Sequence, residues 1–172
     1  MQDPAGSPTH AARAFKQAIY QVHSPEGLLD LHIGKVSLPL REHMAHHGVR
    51  HAALLTAYNP QAQLTATAMN RQAQISLLKT VEDLHLPWWP GVNLDPQQKW
   101  PDEPSLLILG MSVEQARWLA RRFRQLAFVG IPASGVPKLH FVQQRLPIFG
   151  EKSALLPRAD TSHHLAGPDL KH

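Results

Sequence analysis

Short apolar runs alternate with longer amphipathic segments between residues 51 and 142 of the chain. Residues 51–57 (HAALLTA) and 105–111 (SLLILGM) are apolar runs of strand length, which is typical of buried strands. Apolar positions at helical spacing between these runs predict a helix that ends before Pro87. Ser112 and Gln115 have the spacing of a capping box and predict the start of a second helix. The predicted elements are strands at 51–57, 88–92, 105–111, 127–131 and 138–142 and helices at 67–84 and 112–125.

This order of strand, helix, strand, strand, helix, strand predicts an α+β fold with a ferredoxin-like split βαβ core (βαββαβ). Right-handed crossovers would place strands 51–57 and 105–111 side by side and parallel, with both helices on one face. An N-terminal helix at 11–21 and an edge strand at 28–33 would precede this core. The alternative is a three-layer α/β sheet with helices on both faces.

The chain is predicted to contain one domain, because 172 residues suffice for a single hydrophobic core. Residues 1–14 are expected to be a loose N-terminal arm, 15–145 the α+β domain, and 146–172 a mostly unstructured C-terminal tail rich in Pro, Gly, His and charge. The N-terminal sequence lacks the apolar run of a signal peptide, and no run approaches the ~20 apolar residues of a membrane span. A soluble, cytoplasmic protein without membrane contact is therefore expected.

The composition excludes several kinds of chemistry. The chain contains no cysteine, which rules out disulfides, thiolate metal sites and cysteine nucleophiles. No sequence pattern indicates a bound cofactor, since neither a Gly-rich phosphate loop nor a Ser-centred elbow occurs. The net charge of +4 and the pI of about 9.7 are compatible with a nucleic acid or another anionic ligand. The same charge is equally explained by solubility, so an anionic partner is allowed but not favoured.

A first polar group follows the strand at 51–57. Tyr58 and Asn59 leave the carboxyl end of this strand, which is where open α/β sheets bind ligands. Asn70 lies near the start of the next helix, at the same end of the sheet. These three residues are ligand-binding candidates, and the alternative is that Asn59 and Asn70 only fix the turn made by Pro60.

A second polar group borders the strand at 105–111. Trp100, Glu103 and Ser105 precede or begin this strand, and Gln125 closes the second helix. Glu103 is a candidate general acid or base, or else a structural carboxylate bound to loop amides or an arginine. Under the ferredoxin-like layout these ligand-binding candidates lie at the opposite end of the sheet from Asn59, whereas the three-layer layout would let the groups converge.

The second predicted helix carries candidates for nucleic-acid contact. Arg117, Arg121 and Arg122 offer cations for phosphates, and Trp118 offers a ring for stacking. The alternative is an ordinary solvated helix face. His43 and His47 have helical i, i+4 spacing, but no acidic ligand accompanies them, so no metal site is predicted.

Several of these residues also form the pattern of a known family. The run 56–60 (TAYNP), then Asn70, Trp100, the run 103–106 (EPSL) and Gln125 resemble domain-of-unknown-function family 3293, an uncharacterised bacterial family. The resemblance covers about residues 15–135. Met69 stands where the family usually has an acidic residue, and Arg124 where it often has glycine. Because the family has no established activity, the resemblance implies a domain and no mechanism.

The sequence therefore leaves the function unknown. The first interpretation is a small binding or regulatory module for a nucleotide, a nucleic acid or a protein partner. The alternative is a small enzyme with a polar site built from Asn59, Asn70 and Glu103. The first is favoured because no pair of nucleophile and base is recognisable in the sequence.

Overall fold

The computed structural model describes residues 8–143 of the chain, with side chains from residue 10 onward. Residues 1–7 of the predicted arm and the whole predicted tail lie outside the described residues. A short 3-10 turn, Pro60–Ala62, lies between β3 and α3. In chain order the other elements are α1 (Pro8–Gln17), β1 (Ile19–Ser24), β2 (Gly27–Leu31), α2 (Leu38–His46), β3 (His51–Leu55), α3 (Thr67–Asp83), β4 (Trp88–Leu94), β5 (Glu103–Leu109), α4 (Val113–Arg122), β6 (Ala127–Pro132) and β7 (Lys138–Phe141).

The strands form one curled, half-barrel sheet in the order β2-β1-β4-β5-β3-β6-β7. All six neighbouring pairs are antiparallel. The predicted ferredoxin-like layout with parallel central strands is therefore wrong, and so is the three-layer α/β alternative. The two strands that were predicted to be parallel, β3 and β5, pair antiparallel. In addition, β1, β2 and β7 extend the central strands into a curled sheet of seven, because each of them pairs with its neighbour along the edge.

The N-terminal region adds two strands, of which sequence analysis missed one. Residues 19–21 were predicted as the end of a helix, because Ile19 and Tyr20 continue the helical spacing of the preceding apolar residues. In the structure α1 ends at Gln17, and Tyr20 and Val22 point inward from β1 with strand periodicity. β1 pairs with both β2 and β4, so the sheet extends well beyond the predicted core.

Apolar side chains cover both faces of the sheet. Leu77 and Val81 of α3 and Leu119 of α4 pack on one face, with Ile108 of β5. Leu40 and Met44 of α2 pack on the other face. The strands therefore alternate between two cores, which explains why β3 and β5 are apolar runs without polar alternation.

The antiparallel order brings the two predicted polar groups to one end of the sheet. Leu55, the last residue of β3, pairs with Leu106 of β5, and Glu103, which opens β5, pairs with Asn93 of β4. The carboxyl end of β3 and the amino end of β5 thus lie together, and the predicted separation of the two groups is wrong. Within the described residues, no helix has the length and apolar character needed to cross a membrane.

Candidate ligand-binding site

The loop after β3 is held by the unusual backbone of Asn59. Asn59 has φ 47° and ψ 60°, which is the left-handed region. Asparagine tolerates this conformation better than most residues other than glycine. Pro60 follows and begins the 3-10 turn, and Gln61 and Ala62 also have positive φ values of 59° and 52°. Three residues with positive φ within four positions indicate a segment whose shape depends on contacts with its surroundings.

Asn59 and Asn70 bind each other in both directions. The Asn59 backbone N–H donates to Oδ1 of Asn70 at 2.8 Å, and Nδ2 of Asn70 donates to Oδ1 of Asn59 at 2.9 Å. The Thr65 backbone N–H donates to the same Oδ1 of Asn59 at 3.0 Å, and Asn70 Nδ2 also donates to the Thr65 carbonyl at 3.1 Å. Both asparagines are buried. These bonds offset the low helix propensity of Asn70 and lock the first turn of α3 to the loop.

Glu103 connects the hydrogen-bonded pair of Asn59 and Asn70 to β5. Its Oε1 accepts hydrogen bonds from Asn59 Nδ2 and from the indole Nε1 of Trp100, both at 2.8 Å. The residue is only 8% exposed. Burial raises the pKa of the Glu103 carboxyl, and the hydrogen bonds from Asn59 and Trp100 oppose this rise only in part. The structural alternative of an arginine partner is not found among the described residues, because neutral groups make both bonds.

The second oxygen of Glu103 is differently placed. Within the described residues no hydrogen bond reaches Oε2. Oε2 is also not among the fully buried side-chain atoms without a partner, so it retains contact with solvent. Glu103 therefore has one structural oxygen and one oxygen that is open to a further hydrogen-bond donor.

Trp100 reaches Glu103 because Asp95 shapes the loop between β4 and β5. One Asp95 oxygen accepts from the Gln97 backbone N–H, and the other accepts from the backbone N–H groups of Lys99 and Trp100, all at 2.9–3.0 Å. These backbone hydrogen bonds, led by that of Gln97, lower the pKa of Asp95. Hydrogen bonds to the partly exposed, ionised carboxylate of Asp95 therefore fix the part of the loop that carries the Trp100 indole.

Two further polar atoms beside Glu103 are buried without a partner in the described part of the chain, Ser105 Oγ and Asn93 Oδ1. Asn93 is directly opposite Glu103 in the sheet, and Ser105 lies two residues further along β5 on the same face. Gly91 makes room for the hydroxyl, since a Cβ at this position would lie 2.9 Å from Ser105 Oγ. Buried polar atoms without partners are uncommon in folded proteins, and a cluster of them requires an explanation.

Tyr20 also belongs to this environment, although the sequence gave no sign of it. The side chain is buried in β1, opposite Asn93, and its hydroxyl donates to the Phe15 carbonyl at 2.7 Å. Burial, and secondarily the charge of Glu103, raises the pKa of Tyr20. The sequence could have placed Tyr20 beside Glu103 only if residues 19–24 had been predicted as a strand. The helical spacing of residues 11–21 favoured a helix instead.

Gln125 and Tyr58 border the site without entering the Glu103 network. Gln125 Nε2 donates to the Tyr58 carbonyl at 3.0 Å, and the Gln61 backbone N–H and Nε2 both bind the Arg124 carbonyl at 2.8 and 2.9 Å. The end of α4 therefore holds the outer side of the loop. The structure thus brings Asn59, Asn70, Trp100 and Glu103 into one network, with the three remaining ligand-binding candidates next to it.

The residues predicted for nucleic-acid contact lie on a different surface. Arg117 has its guanidinium 5.6 Å from the centre of the Phe128 ring, and Arg122 lies 5.5 Å from the centre of the Trp118 ring. Arg121 is exposed on the same helix. Two surface cavities also lie away from the Glu103 network, one of about 380 Å³ beside β2 and one of about 540 Å³ at the start of α4.

The histidines near α2 have apolar and acidic neighbours. The rings of His43 and His47 meet Trp89 edge-on at 5.0 and 5.9 Å, and His43 Nε2 lies 3.7 Å from a carboxylate oxygen of Glu26. Among the described residues no group of three or more His, Cys, Asp or Glu side chains could hold a metal ion.

Comparison with known proteins gives one match. Residues 55–128 match a family model described as a protein of unknown function, DUF3293. No curated protein and no solved structure matches the chain. The matched segment includes the loop after β3, Asn70, Trp100, Glu103 and Gln125, so it contains most of the polar network. The function of this family is unknown, and over residues 55–128 the chain is similar to it.

Proposed function

We propose that this protein is a small cytoplasmic binding module that takes a hydrogen-bond-donating group at Glu103. The observation that carries the proposal is a buried carboxyl group with a raised pKa, no cationic partner within the described residues and one oxygen without a hydrogen bond. A buried carboxyl group is costly unless it is paired or serves a function. Here the pairing is incomplete, and the incomplete side keeps contact with solvent.

The neighbouring atoms define the chemistry of the ligand. Glu103 Oε2 keeps contact with solvent, whereas Asn93 Oδ1 and Ser105 Oγ are buried on neighbouring positions of β4 and β5, and within the described residues none of the three has a partner. The accessible acceptor, Oε2, matches a group with N–H donors, namely an amine, a guanidinium or a primary amide. Binding of a cationic group would favour ionised Glu103 and lower its pKa.

Asn59 and Asn70 have a positioning role in this proposal. Their polar side-chain atoms already bind each other, Thr65 and Glu103. An enzyme would need these groups free to contact a substrate, as general acid–base catalysis requires a donor or acceptor within reach of the reacting atom. A binding module is therefore better supported than the alternative enzyme.

The Trp100 indole gives a direct measurement of the site, because its N–H donates to Glu103. We would record the indole N–H resonances of the full-length protein, assign the Trp100 signal with Trp100→Phe, and titrate methylguanidinium, methylamine and acetamide. The Trp100 signal should shift with at least one of these probes, and the signals of Trp88, Trp89 and Trp118 should not. Sodium acetate, which offers no N–H donor, should leave all four unchanged.

Glu103→Gln is the matched variant, since glutamine keeps an oxygen for Asn59 and Trp100. It should abolish the shift caused by the cationic probes while melting at or above the temperature of the parent, because functional groups are retained at a cost to stability. A strongly destabilised Glu103→Gln, together with a parent whose Trp100 signal ignores every probe, would show that Glu103 is purely structural.

A further inference from the structure

A second surface, remote from Glu103, surrounds the start of α4. The cavity of about 540 Å³ lies where β3 begins and where β6 turns into β7. Its charged and titratable lining consists of Arg50, His51, Lys138 and His140, with Glu114 as the one acidic side chain. Within the described residues none of these cations forms an ion pair with a carboxylate. We refer to this cavity as the basic groove.

His140 is fixed at the floor of the basic groove. Its ring stacks on Phe128 with the ring centres 5.0 Å apart and the planes 10° from parallel. The ring also lies directly over Gly130, where a Cβ atom would come within 2.8 Å of Nε2. Burial, followed by the charges of Arg117 and Lys138, lowers the pKa of His140. Lys138 lines the groove itself, and the Arg117 guanidinium lies 5.6 Å from the centre of the Phe128 ring on which His140 stacks, so both add positive charge at the groove.

The positive potential continues along α4. Arg117 connects the groove to the helix, because its guanidinium covers Phe128 and donates to the Phe141 carbonyl at 3.1 Å. Trp118 is 52% exposed, which is unusual for so large a ring, and Arg122 lies over it. Glu114 is the one acidic residue between positions 113 and 143, whereas the cations in that range are Arg117, Arg121, Arg122, Arg124, Lys138 and His140 when it is protonated.

We propose that the basic groove and the exposed side of α4 together form a binding surface for single-stranded nucleic acid. Lys138 and Arg50 contact phosphates in the groove, Arg121 contacts a phosphate along the helix, and Trp118 stacks on a base. Separate cations, combined with an exposed aromatic ring, match how proteins bind single strands without sequence preference. A membrane surface would also attract the cations, but a membrane-binding helix needs an apolar face of several large side chains, and Trp118 is the one large apolar side chain that α4 exposes.

The test is the binding of a fluorescent dT12 oligonucleotide and of the matching U12 RNA to the full-length protein, followed by anisotropy. The parent should bind at least one of them, and the affinity should fall with salt with a slope of about −0.7 for each phosphate contacted. The double variant Lys138→Glu/Arg121→Glu should bind about tenfold more weakly or worse and show a smaller slope. Trp118→Ala should bind about fivefold more weakly or worse, and Trp118→Phe should restore most of the loss.

Lys16→Glu is the control, because Lys16 is an exposed cation of α1 at the end of the sheet where β5 begins, whereas the basic groove lies at the other end. It should bind as the parent does after allowance for the change in net charge, and thermal melts should show that all variants are folded. The proposal is overturned if the parent does not bind at low salt, or if Lys16→Glu weakens binding as much as the double variant. Equally strong binding to duplex DNA or to phosphatidylserine vesicles, with the same dependence on the variants, would also overturn it.

Discussion

Replacing Asn59 by alanine removes a side chain that makes three hydrogen bonds in a buried setting. Oδ1 would no longer accept from Thr65 N–H and Asn70 Nδ2, and Nδ2 would no longer donate to Glu103. Asn70 and Glu103 would each keep another partner, the Thr65 carbonyl and the Trp100 indole. The stranded group is therefore chiefly the Thr65 N–H, which is part-buried.

The magnitude follows from these contacts. A typical intramolecular hydrogen bond contributes about 1 kcal/mol, and one to a charged group contributes about 1.5–3 kcal/mol. Alanine in the left-handed conformation of Asn59 would add about 1 kcal/mol. Because neighbouring contacts are not additive, we expect the free energy of unfolding to fall by about 3–5 kcal/mol. For a domain of this size that corresponds to a melting temperature lower by roughly 10 °C.

Urea denaturation of the full-length protein, followed by tryptophan fluorescence, measures this change. Asn59→Gly separates the two contributions, because glycine removes the same hydrogen bonds but adopts a positive φ without strain. It should be about 1 kcal/mol more stable than Asn59→Ala. The control is Gln63→Ala, an exposed side chain in the same loop, which should remain within about 0.5 kcal/mol of the parent.

Asn59→Asp tests the contact with Glu103 itself. Aspartate keeps the oxygen that accepts from Thr65 and Asn70, but it places a second carboxyl oxygen against Glu103 in place of the amide donor. The two carboxyl groups cannot both ionise without repulsion, so this variant should lose stability as the pH rises from about 4 to 7.

If the free energy of unfolding of Asn59→Ala is within about 1 kcal/mol of that of the parent, the hydrogen bonds of Asn59 do not hold the loop in place.

Three further predictions concern the pH dependence and the packing of the sheet. Burial raises the pKa of Glu103 in the folded state above its usual 4.5, so the folded protein binds this proton more tightly than the unfolded chain does. The free energy of unfolding of the parent, relative to that of Glu103→Gln, should therefore fall as the pH rises from 4.5 through the folded-state pKa. Urea denaturation at a series of pH values measures this difference. Leu107→Ala should cost about 2–5 kcal/mol in the same assay, because Leu107 is fully buried, and a loss below 1 kcal/mol would contradict its central position. Gly91→Ala should cost about 1–3 kcal/mol, because its Cβ would lie 2.7 Å from the backbone oxygen of Gln21 in β1, and a thermal melt equal to that of the parent would contradict this close contact.

The sequence alone determined the features that depend on local patterns. The apolar runs predicted β3 and β5, and the spacing of Ser112 and Gln115 predicted the capping box, which forms with bonds of 2.9 and 3.1 Å. Helical spacing placed α3 almost to the residue. Four of the seven ligand-binding candidates, Asn59, Asn70, Trp100 and Glu103, lie in one polar network in the structure. Their roles as ligand-binding residues stay predictions.

Only the tertiary structure decided how these pieces meet. β5 lies between β3 and β4 and runs antiparallel to both, and no local sequence pattern contains that information. This direction alone moved Glu103 from the predicted opposite end of the sheet to 2.8 Å from Asn59. The raised pKa of Glu103 follows in turn from its burial in the folded structure, and burial together with the charge of Glu103 raises the pKa of Tyr20, which lies in a strand that helical spacing had concealed. Local spacing fixes the elements of this protein, whereas long-range pairing and desolvation create the site.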